Sequence, residues 1–207
     1  MANQEHLYHI TTASTTHELN EKEWNELTND NMFAYWGWLR TLENTLIETI
    51  SPIYVLIRDS NRLLGVAVCY VQGKENSLLC VDEALLGRLK YIFPRFDISF
   101  RPALVCALRH ASHCPVMISN DLTQSERQQI RDILLSEIEN HACSYGISTA
   151  FSTTSEDNEL NQALRYRGYL RAIDVPNTYN IQIYTCLNYR TLNFYSINKY
   201  HCFADFL

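Results

Sequence analysis

Apolar residues along this chain follow two different spacings, and the change from one to the other marks the elements. From Gln124 onward, Ile130, Ile133, Leu134, Ile138, Ala142 and Tyr145 recur at steps of three and four, which predicts one long helix with a single apolar stripe for packing on a sheet. Thr123 and Glu126 have the Thr-x-x-Glu spacing of a capping box, so the start of that helix is set locally; Gly146 supplies its stop. Upstream the apolar positions become nearly continuous. Ile53 to Arg58 and Leu63 to Val71, separated by Asp59, Ser60 and Asn61, predict an antiparallel hairpin whose strands are largely buried. Ala103 to Leu108, Pro115 to Ser119 and Ile147 to Ser152 read as short strands. A second helix is expected at Glu156 to Tyr166 with Ser155 as its cap, followed by an extended run from Tyr169 that breaks at Pro176 and resumes at Thr178 to Tyr184. Near the N-terminus, Trp24 to Leu27 and Met32 to Ile47 read as helical, with Asn29, Asp30 or Asn31 as cap, and Phe33, Tyr35, Trp36 and Trp38 form an aromatic cluster suited to a core, a dimer contact or a ligand groove. Residues 72 to 102 carry no clear period beyond a short helix at Glu83 to Tyr91.

Strands alternating with helices in this way define an α/β chain. At 207 residues and 46% hydrophobic, it is long enough to bury one sizeable core, and its six glycines and five prolines form no linker tract. The apolar runs stop well short of the roughly 20 residues that cross a bilayer, and residues 1 to 20 are polar without the order of a signal peptide, so a cytoplasmic protein is expected. A net charge of −6 opposes general affinity for nucleic acid or anionic membranes. Arg88, Lys90, Arg95, Arg101 and Arg109 nonetheless cluster against Asp97 alone, either as a face for an anionic ligand or as solvated surface. Seven cysteines without a Cys-x-x-Cys pair read as reduced thiols. Cys106, His110, His113 and Cys114 supply zinc-type atoms, but their spacing matches no closed zinc module and no metal is expected; a Cys114 and His110 nucleophilic pair lacks an orienting third group.

Strand, long helix, strand, short helix ending in Gly168-Tyr169, strand, preceded by a hairpin and a helical segment: this order resembles the acetyltransferase (GNAT) superfamily. Within it the chain looks most like FemAB-like acyl- or aminoacyl-transferases of peptidoglycan biosynthesis, through Asn31-Met32-Phe33, Leu56-Ile57-Arg58-Asp59, Arg62-Leu63-Leu64-Gly65, Pro102 to Cys106, Cys114-Pro115-Val116 and Leu164 to Tyr169. The resemblance implies a mixed central sheet with helices on both faces, spanning residues 1–184, with 185–207 as a tail or the start of an incomplete second domain. It also implies an acyl-CoA or aminoacyl-tRNA donor, an amine acceptor and no metal. The superfamily's donor-phosphate loop falls on Ser119 to Ser125, which makes Ser119, Asn120, Thr123, Gln124 and Ser125 the candidate cofactor-binding residues, since free amides and a helix N-terminus attract anions. That segment has no glycine and carries Asp121, with Glu126 next to it. Where many acetyltransferases have a proton-donating tyrosine, this chain has Leu164, so no catalytic residue is assigned. Two functions remain: a transferase that works by positioning its reactants, and an inactive binding or scaffold module acting as a homodimer or with a separate partner domain.

Overall fold

A computed structural model describes residues 8–28, 31–45, 52–60, 62–73, 102–109, 114–154, 156–174 and 181–186. Its strands are β1 (His9–Ala13), β2 (Pro52–Arg58), β3 (Leu63–Gln72), β4 (Ala103–Cys106), β5 (Val116–Ile118), β6 (Ser148–Thr154), β7 (Leu170–Asp174) and β8 (Ile181–Cys186). They form one sheet in the order β1-β2-β3-β4-β6-β8-β7, with β5 added beside β3. Among the described strands β4 and β6 run parallel and every other pair is antiparallel, so the sheet is mixed. The helices are α1 (Glu21–Leu27), α2 (Trp36–Asn44), α3 (Gln124–Tyr145) and α4 (Asn158–Tyr166).

The unbroken apolar character of β2 and β3 has a simple cause: helices cover both faces of the sheet, so both side-chain sets of each strand are buried. Val55, Ile57, Ala67 and Cys69 join Ile130, Leu134, Ile138, Phe151 and Leu164 in the core beneath α3 and α4. The alternate residues Tyr54, Leu56, Val66, Val68 and Tyr70 meet Trp24, Ala34 and Leu39 in a second core beneath α1 and α2.

Both ends of α3 follow the sequence signals. The Glu126 amide donates to Thr123 Oγ1 at 3.4 Å while the Thr123 amide donates to Glu126 Oε2 at 2.8 Å, and Gly146 closes the helix at φ 67°. Thr123→Ala is expected to destabilise the protein by about 1 kcal/mol, read from the urea midpoint at constant slope. Along the stripe Ile130, Leu134, Ile138 and Ala142 are buried, but Tyr145 is exposed, and Leu135 and Arg131 occupy buried positions instead.

Other boundaries moved where tertiary contacts intervene. α1 begins at Glu21, three residues ahead of Trp24, because Asn20 accepts from the Glu23 amide as its cap. The expected helix from Met32 is a 3-10 turn at Met32–Ala34, an extended Tyr35 and then α2 from Trp36. The break is held by α1: Trp24 Nε1 donates to the Ala34 carbonyl at 2.7 Å, and the Trp36 amide donates to Asn25 Oδ1 at 2.9 Å. α4 starts at Asn158 rather than at 156, since Asp157 turns its carboxylate back to the Thr154 amide at 2.7 Å. β8 runs past 184 to Cys186. Asn29, Asp30, Ile47, Glu83 to Tyr91, Ser155 and the expected tail beyond 186 lie outside the described residues.

Candidate functional site

β4 and β5 are one strand interrupted by an excursion. Val68 of β3 accepts from the Ala107 amide at 3.2 Å and donates to the Pro115 carbonyl at 3.1 Å, so the chain leaves and rejoins the ladder at the same residue. The first part, β4, pairs with β6 from Ala103 to Cys106. The second part, β5, pairs with β3 through Val116 to Ile118, while β6 continues through Ser152 to Thr154 against β8. β5 and β6 therefore part beyond Cys106, and a cleft of about 460 Å³ opens beside β5, lined by Cys114, Val116 and Ile118, by Arg127 and Arg131 of α3, and by Asp157 and Glu159 where the chain enters α4.

Each wall of this cleft is fixed locally. The β6 end is tied to α4, with Thr153 Oγ1 donating to Asn161 Oδ1 at 2.6 Å and Asn161 Nδ2 donating to the Thr154 carbonyl at 2.7 Å. On the β5 side, the Cys114 thiol donates to the Val116 carbonyl at 3.1 Å. Burial first, and then the nearby Asp157 carboxylate, push this thiol up, which keeps it protonated at neutral pH and unsuited to be a nucleophile. His110, once its candidate partner, lies outside the described residues, as does His113. Among the described residues no group of three or more His, Cys, Asp or Glu is placed to hold a metal ion.

The candidate phosphate-loop residues surround the tip of α3 but face different ways. Ser119 extends the β5 pairing through its amide to the Leu64 carbonyl at 2.8 Å, and lines a groove with Asn20, Glu23 and Arg62 toward α1. Asn120 accepts from Arg127 Nη1 at 3.2 Å, and Thr123 is engaged in the capping box. Ser125 lies with Ile10 and Gln129 on the far flank of α3. Gln124 reaches α4, its Nε2 donating to Glu159 Oε1 at 2.8 Å. The Thr123 amide donates to Glu126 and the Arg127 amide to the Thr123 carbonyl, which closes the first turn at the positive end of the helix.

Sequence reasoning missed Arg127, Arg131 and Glu159. Arg131 donates to Glu159 Oε2 and Arg127 Nη2 stands 4.0 Å from the same oxygen. Hydrogen bonding from Gln124 is the largest influence on the Glu159 carboxyl; burial opposes it, and the charges of Arg131 and then Arg127 add to it, so the carboxyl is held below the ordinary carboxylate range. The signal available was the spacing Gln124, Arg127, Arg131, which places three donors on one helical stripe. Arg167, just beyond α4, grips α3, with Nη1 on Glu139 Oε2 at 2.7 Å and Nη2 on the Asp132 carbonyl at 2.8 Å.

No tyrosine of α4 enters the cleft. Leu164 is fully buried, Tyr166 is 94% exposed, and Tyr169 is buried with its hydroxyl bonded to Thr149 Oγ1 at 2.9 Å and Glu139 Oε1 at 3.0 Å.

A sheet parted between two central strands, with a long helix leading from one to the other, defines the acetyltransferase (GNAT) fold, and this chain has it. It is similar to an N-acetyltransferase from Staphylococcus aureus Mu50, at 12% identity over 86% of this chain and 96% of that one, with a TM-score of 0.50. It is also similar to a protein from Desulfovibrio desulfuricans described as a GNAT-family acetyltransferase (8% identity, 86% and 99% covered, TM-score 0.52). A third likeness is to FeeM, an N-acyl amino acid synthase from uncultured soil microbes (9% identity, 90% and 93% covered, TM-score 0.54). No family model matches the sequence, and no curated protein matches it. Among the described residues no helix is long and apolar enough to cross a membrane.

Proposed function

We propose that this protein is an N-acyltransferase: an acyl thioester of coenzyme A lies in the cleft where β5 and β6 part, and an amine acceptor attacks its carbonyl there. The observation that carries this reading is the parting itself, which exposes a lined cavity of about 460 Å³ at the strand ends beside the N-terminal turn of α3. The amine nitrogen forms the amide bond, the thiolate leaves, and the nitrogen's surplus proton passes through water to the departing sulfur. With Leu164 buried and Cys114 protonated, rate enhancement comes from alignment and from dipoles aimed at the developing oxyanion.

A second reading, FemAB-like transfer from an aminoacyl-tRNA, draws on the lack of glycines from Ser119 to Ser125 and on leucine rather than tyrosine at 164, since such a donor requires neither the glycines nor the tyrosine. A thermal-shift titration separates the two. Acetyl-CoA at roughly a hundredfold excess over Kd should add about 2.7 kcal/mol of stability, a rise in Tm of roughly 5–10 °C. A saturable rise with an aminoacyl donor alone would select the second reading. Flat curves with a broad panel of both donors would sink the transferase and favour a scaffold module, either dimeric or working with a separate partner domain.

A further inference from the structure

The strand at one end of the sheet is unguarded. β1 pairs with β2 from His9 to Ala13 in unbroken register and stands last in the strand order, so among the described residues no strand pairs with its outer side. Antiparallel pairing turns the N–H and C=O groups of alternate β1 residues away from β2, where they stand ready to bond another strand. Natural sheets commonly blunt such an edge with Lys, Pro or a bulge. His9-Ile10-Thr11-Thr12-Ala13 contains neither residue, and its register with β2 carries no bulge. His9 to Thr12 are all exposed, Ile10 at 42%. Beside this edge lies a groove of about 660 Å³ between Ile10 and one flank of α3. Ile10 and Ile133 give it apolar contact, Asp132 and Glu137 are its charged groups, and no Lys or Arg lines it. Glu137 has no ion-pair partner among the described residues, while Asp132 is 51% exposed and shares Arg167 with Glu139.

We propose that the outer edge of β1 receives an extended basic segment of another protein by strand addition. Backbone bonds to β1 hold the segment, and the groove selects it: an apolar side chain rests on Ile10 and Ile133, and basic side chains reach Asp132 and Glu137. Side chains on one face of a strand recur about every 7 Å, so the apolar and basic positions fall on alternate residues of the segment. A second copy of this chain fits less well. Two copies would bring the same acidic flank together in a protein of net charge −6, and like charges facing one another oppose pairing. β2 and β3 separate this edge from the cleft, so the surface is independent of the donor reading above.

The probe is a fluorescein-labelled peptide, Thr-Lys-Thr-Val-Thr-Arg-Thr amide, which puts Lys, Val and Arg on one face; its anisotropy is followed as the full chain is added. Binding should be saturable and about tenfold tighter than for the same peptide with Glu in place of Lys and Arg, a gap that narrows at high salt. Two further peptides, N-methylated on one or the other alternate set of residues, isolate the backbone bonds. Each set faces one side of the strand, so one methylated peptide should lose binding and the other keep it. Glu137→Lys should reverse the preference between the basic and acidic peptides. Absence of saturable binding, equal effects of the two methylations, or an unchanged charge preference in Glu137→Lys would each overturn the proposal; the first two are read on the wild type and need no variant. Light scattering that shows a dimer dispersed by the probe would make a second copy the occupant. Stronger competition by a peptide of residues 187–207 than by the unlabelled probe would assign the edge to the chain's own C-terminal segment. Either result overturns the separate basic partner.

Discussion

Trp24→Ala is expected to cost about 3–5 kcal/mol, lowering the melting temperature by roughly 10 °C for a chain of this size. Trp24 is 0% exposed and, among the described residues, is the largest fully buried side chain. It joins three elements at once: its ring meets Tyr54 of β2 edge-on with centroids 5.4 Å apart, and its Nε1 holds the Ala34 carbonyl where the chain turns into α2. Truncation removes the packing and also leaves that carbonyl without its donor, and the two losses act at the same junction. Trp24→Phe separates them. It restores most of the ring while still orphaning Ala34, so it should recover more than half of the lost stability. Denaturant unfolding of both variants checks this; a loss below about 1 kcal/mol for Trp24→Ala would mean that α1 is not docked as described.

The opposite face of the sheet has its own sensitive point, at Gly65. A Cβ built there would lie 2.7 Å from Ile130 Cγ2 and 3.2 Å from Leu134 Cδ1, closer than packed carbon atoms approach. Here glycine is required for space: α3 crosses β3 so closely that there is room for a hydrogen only. Gly65→Ala should therefore destabilise by about 1–3 kcal/mol through overpacking. The effect reaches the cleft as well. Gly65 pairs with Ile118 of β5, and α3 carries Arg127 and Arg131, so lifting the helix moves both a wall of the cleft and its cationic lining. A double-mutant cycle with Ile130→Ala tests the contact. The cavity opened by one change accommodates the methyl of the other, so the double variant should be at least about 1 kcal/mol more stable than the sum of the singles predicts. Strict additivity would show that the two residues do not meet.

Gly65 also marks the limit of what could be read in advance. The segment Arg62-Leu63-Leu64-Gly65 was legible as the start of a strand, yet nothing in its neighbours announces a helix lying across it, because Ile130 and Leu134 come more than 60 positions later. The same holds for the break at Tyr35. Periodicity favours one helix from Met32, and the bonds that divide it come from Trp24 and Asn25 on another element. In the cleft, the stripe of Gln124, Arg127 and Arg131 was visible as spacing, but Glu159 stands 28 residues from Arg131, and only the docking of α4 beside α3 joins them.

The sequence by itself determined the features whose causes lie within a few residues. These are the β2–β3 hairpin around Asp59 and Ser60, the capping box of Thr123 and Glu126, the left-handed stop at Gly146, and the α/β order that identifies the fold. Each depends on hydrogen bonds and steric preferences among neighbours, and those act the same way in any fold. Tertiary structure alone decided that one strand leaves its ladder at Ala107 and returns at Pro115, that the sheet parts beyond Cys106, and that Arg127 and Arg131 meet Glu159 of another helix. Those features depend on which distant surfaces bury one another, and that choice belongs to the packing of the whole chain rather than to any local pattern.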